Sequence, residues 1–268
     1  MRINLEMNQE LYDTITSIKQ AEDNIGGLSN TSKMPALSTG ISVEHCDTGS
    51  VLIEVDGSAC FGCYADGGRY NMPNVQLALA ERFDKYKENS ELWVCSIVYI
   101  LRNSKLMQRV PFFRWFDSGD LVDLNHLIAI YTVVANTPNI SHWLPSKEWN
   151  LIKVTKFWEV LSGQIPNLVI RLSSPFKNKP FKPNQYNNSS VVLTQAEFDR
   201  TIDKADETGI FYCPASSQDG ECKDCRACWY PDIECVAYRF HGSKKYGNSK
   251  MLLDIDKITS SRDGGYRI

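Results

Sequence analysis

The chain has 268 residues, 43% of them hydrophobic and 11% aromatic, which is enough to bury a core without help from disulfides. Its net charge of −3, with no Lys/Arg runs, argues against the basic footprint of nonspecific nucleic-acid binding. The first 21 residues are neither the apolar stretch of a signal peptide nor an Arg-rich transit helix, and no run approaches the roughly 18–20 apolar residues of a spanning helix. The expected location is therefore the cytoplasm, where nine cysteines point to metal or catalysis rather than to disulfides.

In chain order, an opening helix is expected over residues 5–23, followed by a Gly/Ser/Asn-rich linker over 24–33. Residues 1–31 are read as an N-terminal helix and linker, and 32–268 as one α/β domain that includes a cysteine-rich loop at 213–235. The spacing predicts a strand at 51–55 and a helix at 74–88 with Val75, Leu79, Phe83 and Tyr86 on one stripe. The apolar run 92–101 is read as a strand over a helix by a narrow margin. Further strands are expected at 112–116, 140–144, 168–172, 191–193, 209–212 and 235–240. Helices are expected at 121–135, 146–161 (capped by Ser146) and 194–205, and the Pro/Asn/Lys-rich stretch 174–190 is read as a loop.

Alternating strands and helices over some 200 residues predict a parallel sheet, either a (β/α) TIM-like barrel, if incomplete, or an open doubly wound sheet. The barrel is the favoured reading, because no glycine-rich dinucleotide turn follows the first strand. The hydrolase elbow, the Walker loop and the HExxH zinc motif are also missing from the sequence.

The strongest feature is Cys213-x8-Cys222-x2-Cys225-x2-Cys228. A two-residue spacer lets neighbouring sulfurs converge on one centre, and this run is closer to a ferredoxin-type loop than to a zinc ribbon with widely separated pairs. An iron–sulfur cluster is the first reading and zinc the second. A second group, Cys46-x13-Cys60-x2-Cys63, could hold a [4Fe–4S] cluster with one iron left open, or Cys60 and Cys63 could complete a site with the C-terminal cysteines. Cys95 and Cys235 read as core residues.

Polar residues recur at strand ends. Asp117 and Asp120 are candidate catalytic or substrate-binding carboxylates, with a helix cap as the alternative for Asp120. Arg114 and Arg171 are candidate cofactor-binding residues, and His142, Lys147, Glu148 and Ser173 lie at similar places. A lone His such as His142 or His241 is more often a hydrogen-bonded structural residue.

Several short motifs in one order carry a resemblance: Ser32-Lys-Met-Pro35, Cys46, Gly57-Ser-Ala-Cys60-Phe-Gly-Cys63-Tyr-Ala65, Gly68-Arg-Tyr70, Arg114-Trp-Phe-Asp-Ser-Gly-Asp120, Trp143-Leu-Pro-Ser-Lys-Glu148, Cys213-Pro-Ala215 and the run from Cys222 to Trp229. Over about residues 32–242 the chain resembles the phage gene-product-88 family. That resemblance implies a phage or prophage origin, hence the host cytoplasm, a barrel akin to the radical SAM enzymes, and cysteine-bound iron–sulfur. Radical SAM enzymes typically use Cys-x3-Cys-x2-Cys, whereas the first interval here is thirteen residues.

The expectation is thus one or two [4Fe–4S] clusters, SAM as a further ligand, and a redox reaction on an unknown small molecule. The alternative is a non-catalytic protein in which a structural cluster or zinc locks a surface that binds a host or phage protein. A nucleic-acid-modifying protein is a weaker third reading.

Overall fold

The computed structural model describes residues 4–31, 33–149, 151, 165–180 and 188–241. The expected opening helix is two: α1 (Gln9–Asp13) and α2 (Ile18–Ile25). The break falls where β-branched Thr14, Ile15 and Thr16 precede Ser17, whose side chain accepts from Gln20 N and starts the second helix. Both pack on α5, with Leu5, Ile15, Ala21 and Ile25 buried in the main core.

Residues 51–55 are not a strand: α3 (Asp47–Leu52) covers the first part, and Leu52 and Val55, three residues apart, are the buried pair, which is a helical spacing. Residues 92–101 belong to α5 (Ser90–Asn103), capped by Asn89. This helix is apolar nearly all round because α1, α2, α4 (Pro73–Glu88) and α7 (Leu124–Ala135) surround it, so periodicity could not reveal it. A short helix, α6 (Lys105–Arg109), then leads into the sheet.

Six parallel strands follow: β1 (Phe112–Arg114), β2 (Ser141–Ser146), β3 (Leu168–Ser173), β4 (Asn188–Leu193), β5 (Ile210–Tyr212) and β6 (Cys235–Arg239), in the order β1-β2-β3-β4-β6-β5. Strand β1 stops short of the expected Phe116 because that residue takes φ 53°, outside extended backbone. Pro145 is tolerated inside β2 because odd-numbered N–H groups there face β1, as Ser141 N bonds Pro111 O, while even-numbered ones face β3, as His142 N bonds Asn167 O. By residue 145, β1 has ended. The predicted helix at 146–161 lies largely outside the described residues.

Alternation along the strands separates two faces. Phe113, Trp115, Leu144, Leu168, Ile170 and Leu172 join the main core with α5 and α7, and Val191, Leu193, Tyr212 and Ala237 pack on α8 (Gln195–Thr201). Phe112, Trp143, Val236, Tyr238 and Phe211 point the other way and meet Cys213, Cys228 and Trp229.

The order of the last strands explains that cover. From β4 the chain passes through α8 and α9 (Ala205–Thr208) to the edge strand β5, then reverses to place β6 between β4 and β5. A right-handed crossover that reverses its direction of travel must run over the opposite face of the sheet. Residues 213–234 therefore cover the face that the described helices leave free.

The α/β class and the parallel sheet are as expected, but the sheet is open, with β1 and β5 at its edges, so the barrel is not closed. Residues 37–39 run along the free edge of β1, through a parallel bridge of Ser38 with Arg114 and a bond from Thr39 N to Arg114 O. None of the described helices is long and apolar enough to cross a membrane.

Candidate metal centre

Cys46 stands immediately before α3, and Cys60 and Cys63 share a tight turn in which Cys63 N bonds Cys60 O at 2.9 Å. Between them lies Gly49. A Cβ at that position would stand 3.6 Å from the Cys46 sulfur and 3.9 Å from the Cys60 sulfur, and 2.8 Å from the Cys46 Cβ. Two sulfurs thus approach one point that only glycine leaves open.

The ends of β1 and β2 hold this group from below. Asp120 accepts from Leu121 N at 2.8 Å, Ser146 Oγ at 2.7 Å and Lys147 N at 2.7 Å, stitching the two strand ends together. It does not cap α7, whose cap is Asp123, accepting from His126 N. Glu148 reaches across to α3 and accepts from Thr48 N at 2.8 Å and Thr48 Oγ1 at 2.7 Å. Burial, reinforced by Asp120, pushes the Glu148 carboxyl up to about 7. Burial also drives the Cys46 and Cys60 thiols well above their usual range, with Asp120 adding to both and Lys147 opposing.

The second group lies on the other face of the sheet. Cys213 follows β5, while Cys222 and Cys225 share a turn, with Cys225 N bonding Cys222 O at 2.9 Å. Cys228 lies in the 3₁₀ turn Ala227–Trp229, its sulfur 3.1 Å from the Tyr238 hydroxyl. Burial pushes the Cys228 thiol up to about 12, and it raises Cys213 and Cys222 as well. Buried thiols of this kind are inert by themselves and ionise when a metal takes the place of their protons.

Arg171 clamps this segment. Its Nε donates to Cys228 O at 3.0 Å, and its two NH groups donate to the carbonyls of Ala227, Tyr230, Ile233 and Ser189 at 2.7–3.4 Å. Trp229 adds an indole bond to Phe113 O at 2.9 Å. With its guanidinium spent on backbone carbonyls, Arg171 serves the cysteine segment and has no donor left for a cofactor, contrary to the sequence expectation.

Arg114 stands between the two groups. Its guanidinium lies 4.7 Å over the Trp143 ring and draws down Cys222, while Tyr64, next to Cys63, bears on it from the other side. The carboxylate of Asp117 accepts from Ser38 Oγ at 2.8 Å, and its backbone carbonyl accepts from Tyr64 Oη at 2.7 Å and Tyr70 Oη at 3.2 Å. Asp117 and Asp120 are both buried and hydrogen-bonded within the chain, so each visibly shapes the strand ends.

Cys95 and Cys235 are buried in apolar clusters, in the places expected of core cysteines. His142 bonds Thr137 at 2.9 Å and is held neutral by burial, which lowers it to about 3. Sequence reasoning missed Gly49, Tyr64 and Tyr238. Gly49 was legible as a small residue one helical turn after Cys46, and Tyr238 as an inward position two residues after Val236. Among the described residues, no three Cys, His, Asp or Glu side chains are gathered as a ready-made metal ligand set, so the sulfurs are neighbours rather than an assembled cage.

These features define a parallel α/β protein with a cysteine-rich crossover on one face of its sheet and a second cysteine group at the strand ends. A sequence profile of the gene product 88 family matches residues 8–231, and the chain belongs to that family. Comparisons with curated proteins and with solved structures returned no match.

Proposed function

We propose that this chain is an iron–sulfur protein with two centres, one held by Cys46, Cys60 and Cys63 and one by Cys213, Cys222, Cys225 and Cys228. The observation that carries the reading is that the seven cysteines fall into two separate groups, each with its own surroundings. The Gly49 point shared by the Cys46 and Cys60 sulfurs supports a common centre for the first group. Thiolate-only donors suit iron–sulfur or zinc.

Three thiolates leave one iron of a [4Fe–4S] cluster without a protein ligand, and an open iron supplies a place where a small molecule binds metal and is reduced. SAM is the ligand suggested there by the radical-SAM-like build that the gene-product-88 resemblance implies. In this reading Glu148 orients the helix that carries Cys46, Lys147 offers a cation to the thiolates, and Asp120 holds the two strand ends in register. Asp117 and Asp120, bonded within the chain, serve in this reading by shaping the strand ends beside the centre, and Arg114 is the proposed cofactor-facing cation. A phage origin accords with this proposal.

The second reading is a single closed cluster or zinc at the C-terminal group in a non-catalytic protein that binds a host or phage partner. It is favoured by the way Arg171 and Trp229 lock that segment onto the sheet.

Anaerobic purification followed by iron, sulfide and zinc analysis tests the choice. About eight irons per chain are expected for two [4Fe–4S] clusters. About four favour the single structural site, and zinc without iron sinks the redox reading. SAM binding by equilibrium dialysis then decides whether the first centre is open to that ligand.

A further inference from the structure

Resting on the two-centre reading, we infer that the centre held by Cys213, Cys222, Cys225 and Cys228 has the higher reduction potential, because Arg171, Arg226 and the Tyr238 hydroxyl stand against it while two carboxylates bear on the other.

Arg171 is fully buried and bonded to the backbone carbonyl of Cys228 itself. Arg226 lies inside the cysteine run and donates to Cys225 O at 2.8 Å, and its Nε is buried without a hydrogen-bond partner. Arg114 also keeps a buried, unpartnered Nε and bears on Cys222, but Tyr64 and Asp117 bear on it in turn, so it is shared between the two sides. Among the described residues none of these three guanidiniums is in an ion pair with a carboxylate, the pairs being Lys19–Asp23, Lys85–Glu88, Lys87–Asp123 and Arg200–Glu197. The Trp143 indole N–H, buried on the same face, also has no partner. Of the three, Arg171 is buried and has no carboxylate beside it, which leaves the negative charge of a thiolate-bound centre as its natural counterpart.

The N-terminal group has the opposite balance. Asp120 bears on the Cys46 and Cys60 sulfurs and Glu148 on that of Cys60, with Lys147 as the cation that opposes them. Lys177 also approaches Cys60, but it donates to Phe61 O at 2.9 Å, lies 3.9 Å from the Phe240 ring and has Asp56 nearby.

Adding an electron to a buried cluster is easier where the surroundings are positive and where hydroxyl or N–H groups donate to sulfur, and harder beside carboxylates. The Tyr238 hydroxyl at 3.1 Å from the Cys228 sulfur acts in the same direction as the arginines.

The experiment is an EPR-monitored redox titration of the reconstituted full chain, alongside Cys60→Ala/Cys63→Ala, which keeps the C-terminal centre, and Cys225→Ala/Cys228→Ala, which keeps the N-terminal one. Two waves are expected in the intact chain, the higher surviving in the first variant and the lower in the second. Arg226→Gln in the intact chain should move the higher wave downward and leave the lower in place, which keeps the test alive where a double variant does not fold. The ordering is overturned if the N-terminal centre titrates at an equal or higher potential, or if Arg226→Gln moves the lower wave. About four irons per wild-type chain, or zinc alone, would instead remove the two-centre reading itself, and the ordering with it.

Discussion

Glu148 and Thr48 are joined by two hydrogen bonds, from the Thr48 backbone N–H at 2.8 Å and from its hydroxyl at 2.7 Å. This carboxylate fastens the end of β2 to the start of the helix that Cys46 precedes. Glu148→Ala leaves the Thr48 donors without their acceptor and should cost about 1–3 kcal/mol in urea unfolding. The same variant should lose metal from the N-terminal group while the C-terminal group keeps its own. Equal loss from both would mean that Glu148 supports the fold without positioning Cys46.

Gly49→Ala tests the space between the sulfurs. Its Cβ would stand 2.8 Å from the Cys46 Cβ, so one of the two must shift. The variant is expected to fold with an unchanged far-UV spectrum and to bind less iron, since Gly49 lies in a helix and alanine brings no backbone strain there.

Removing the Arg171 guanidinium exposes a different dependence. Arg171→Met leaves the Cys228 carbonyl without a donor and takes one donor from the carbonyls of Ala227, Tyr230 and Ile233, which keep Tyr230 N, Ile233 N and Asn188 Nδ2, a cost of about 1–3 kcal/mol, measurable as a lower Tm. Arg171→Lys should rescue little, since one ammonium cannot reproduce a fork that serves carbonyls on both sides.

Cysteine substitutions should sort into two sets. Alanine at Cys222 or Cys228 is expected to lower metal content, while Cys95→Ala should change stability by about 1 kcal/mol and leave metal content as in wild type. Cys95 is fully buried and its thiol donates to Asn8 O at 3.3 Å, far in sequence and function from either group.

A pH effect follows from His126, which is buried against Tyr86 and Trp93. Burial lowers it to about 4 from its ordinary 6.5. The unfolded chain therefore binds a proton that the folded chain refuses, so the stability is fully present above pH 6.5 and is lost as the pH falls toward 4. The loss amounts to roughly 3 kcal/mol, and His126→Phe should flatten that part of the pH–stability curve.

The sequence by itself determined the two cysteine groups, the parallel α/β class and the helix over residues 74–88, because ligand spacing and amphipathic stripes are local properties. It also singled out Arg114, Asp117, Asp120, Arg171, Lys147 and Glu148 as polar residues near strand ends. Only the tertiary structure decided that α5 is a helix, since a segment surrounded by four other helices loses the polar face that reveals its period. The open sheet, the reversal before β6 and the placement of residues 213–234 on the free face come from how right-handed crossovers fit together, which no local pattern encodes. The use of Arg171 as a clamp has the same origin. A buried guanidinium is assigned by the carbonyls that packing brings to it, and those lie 56–62 residues away in the chain.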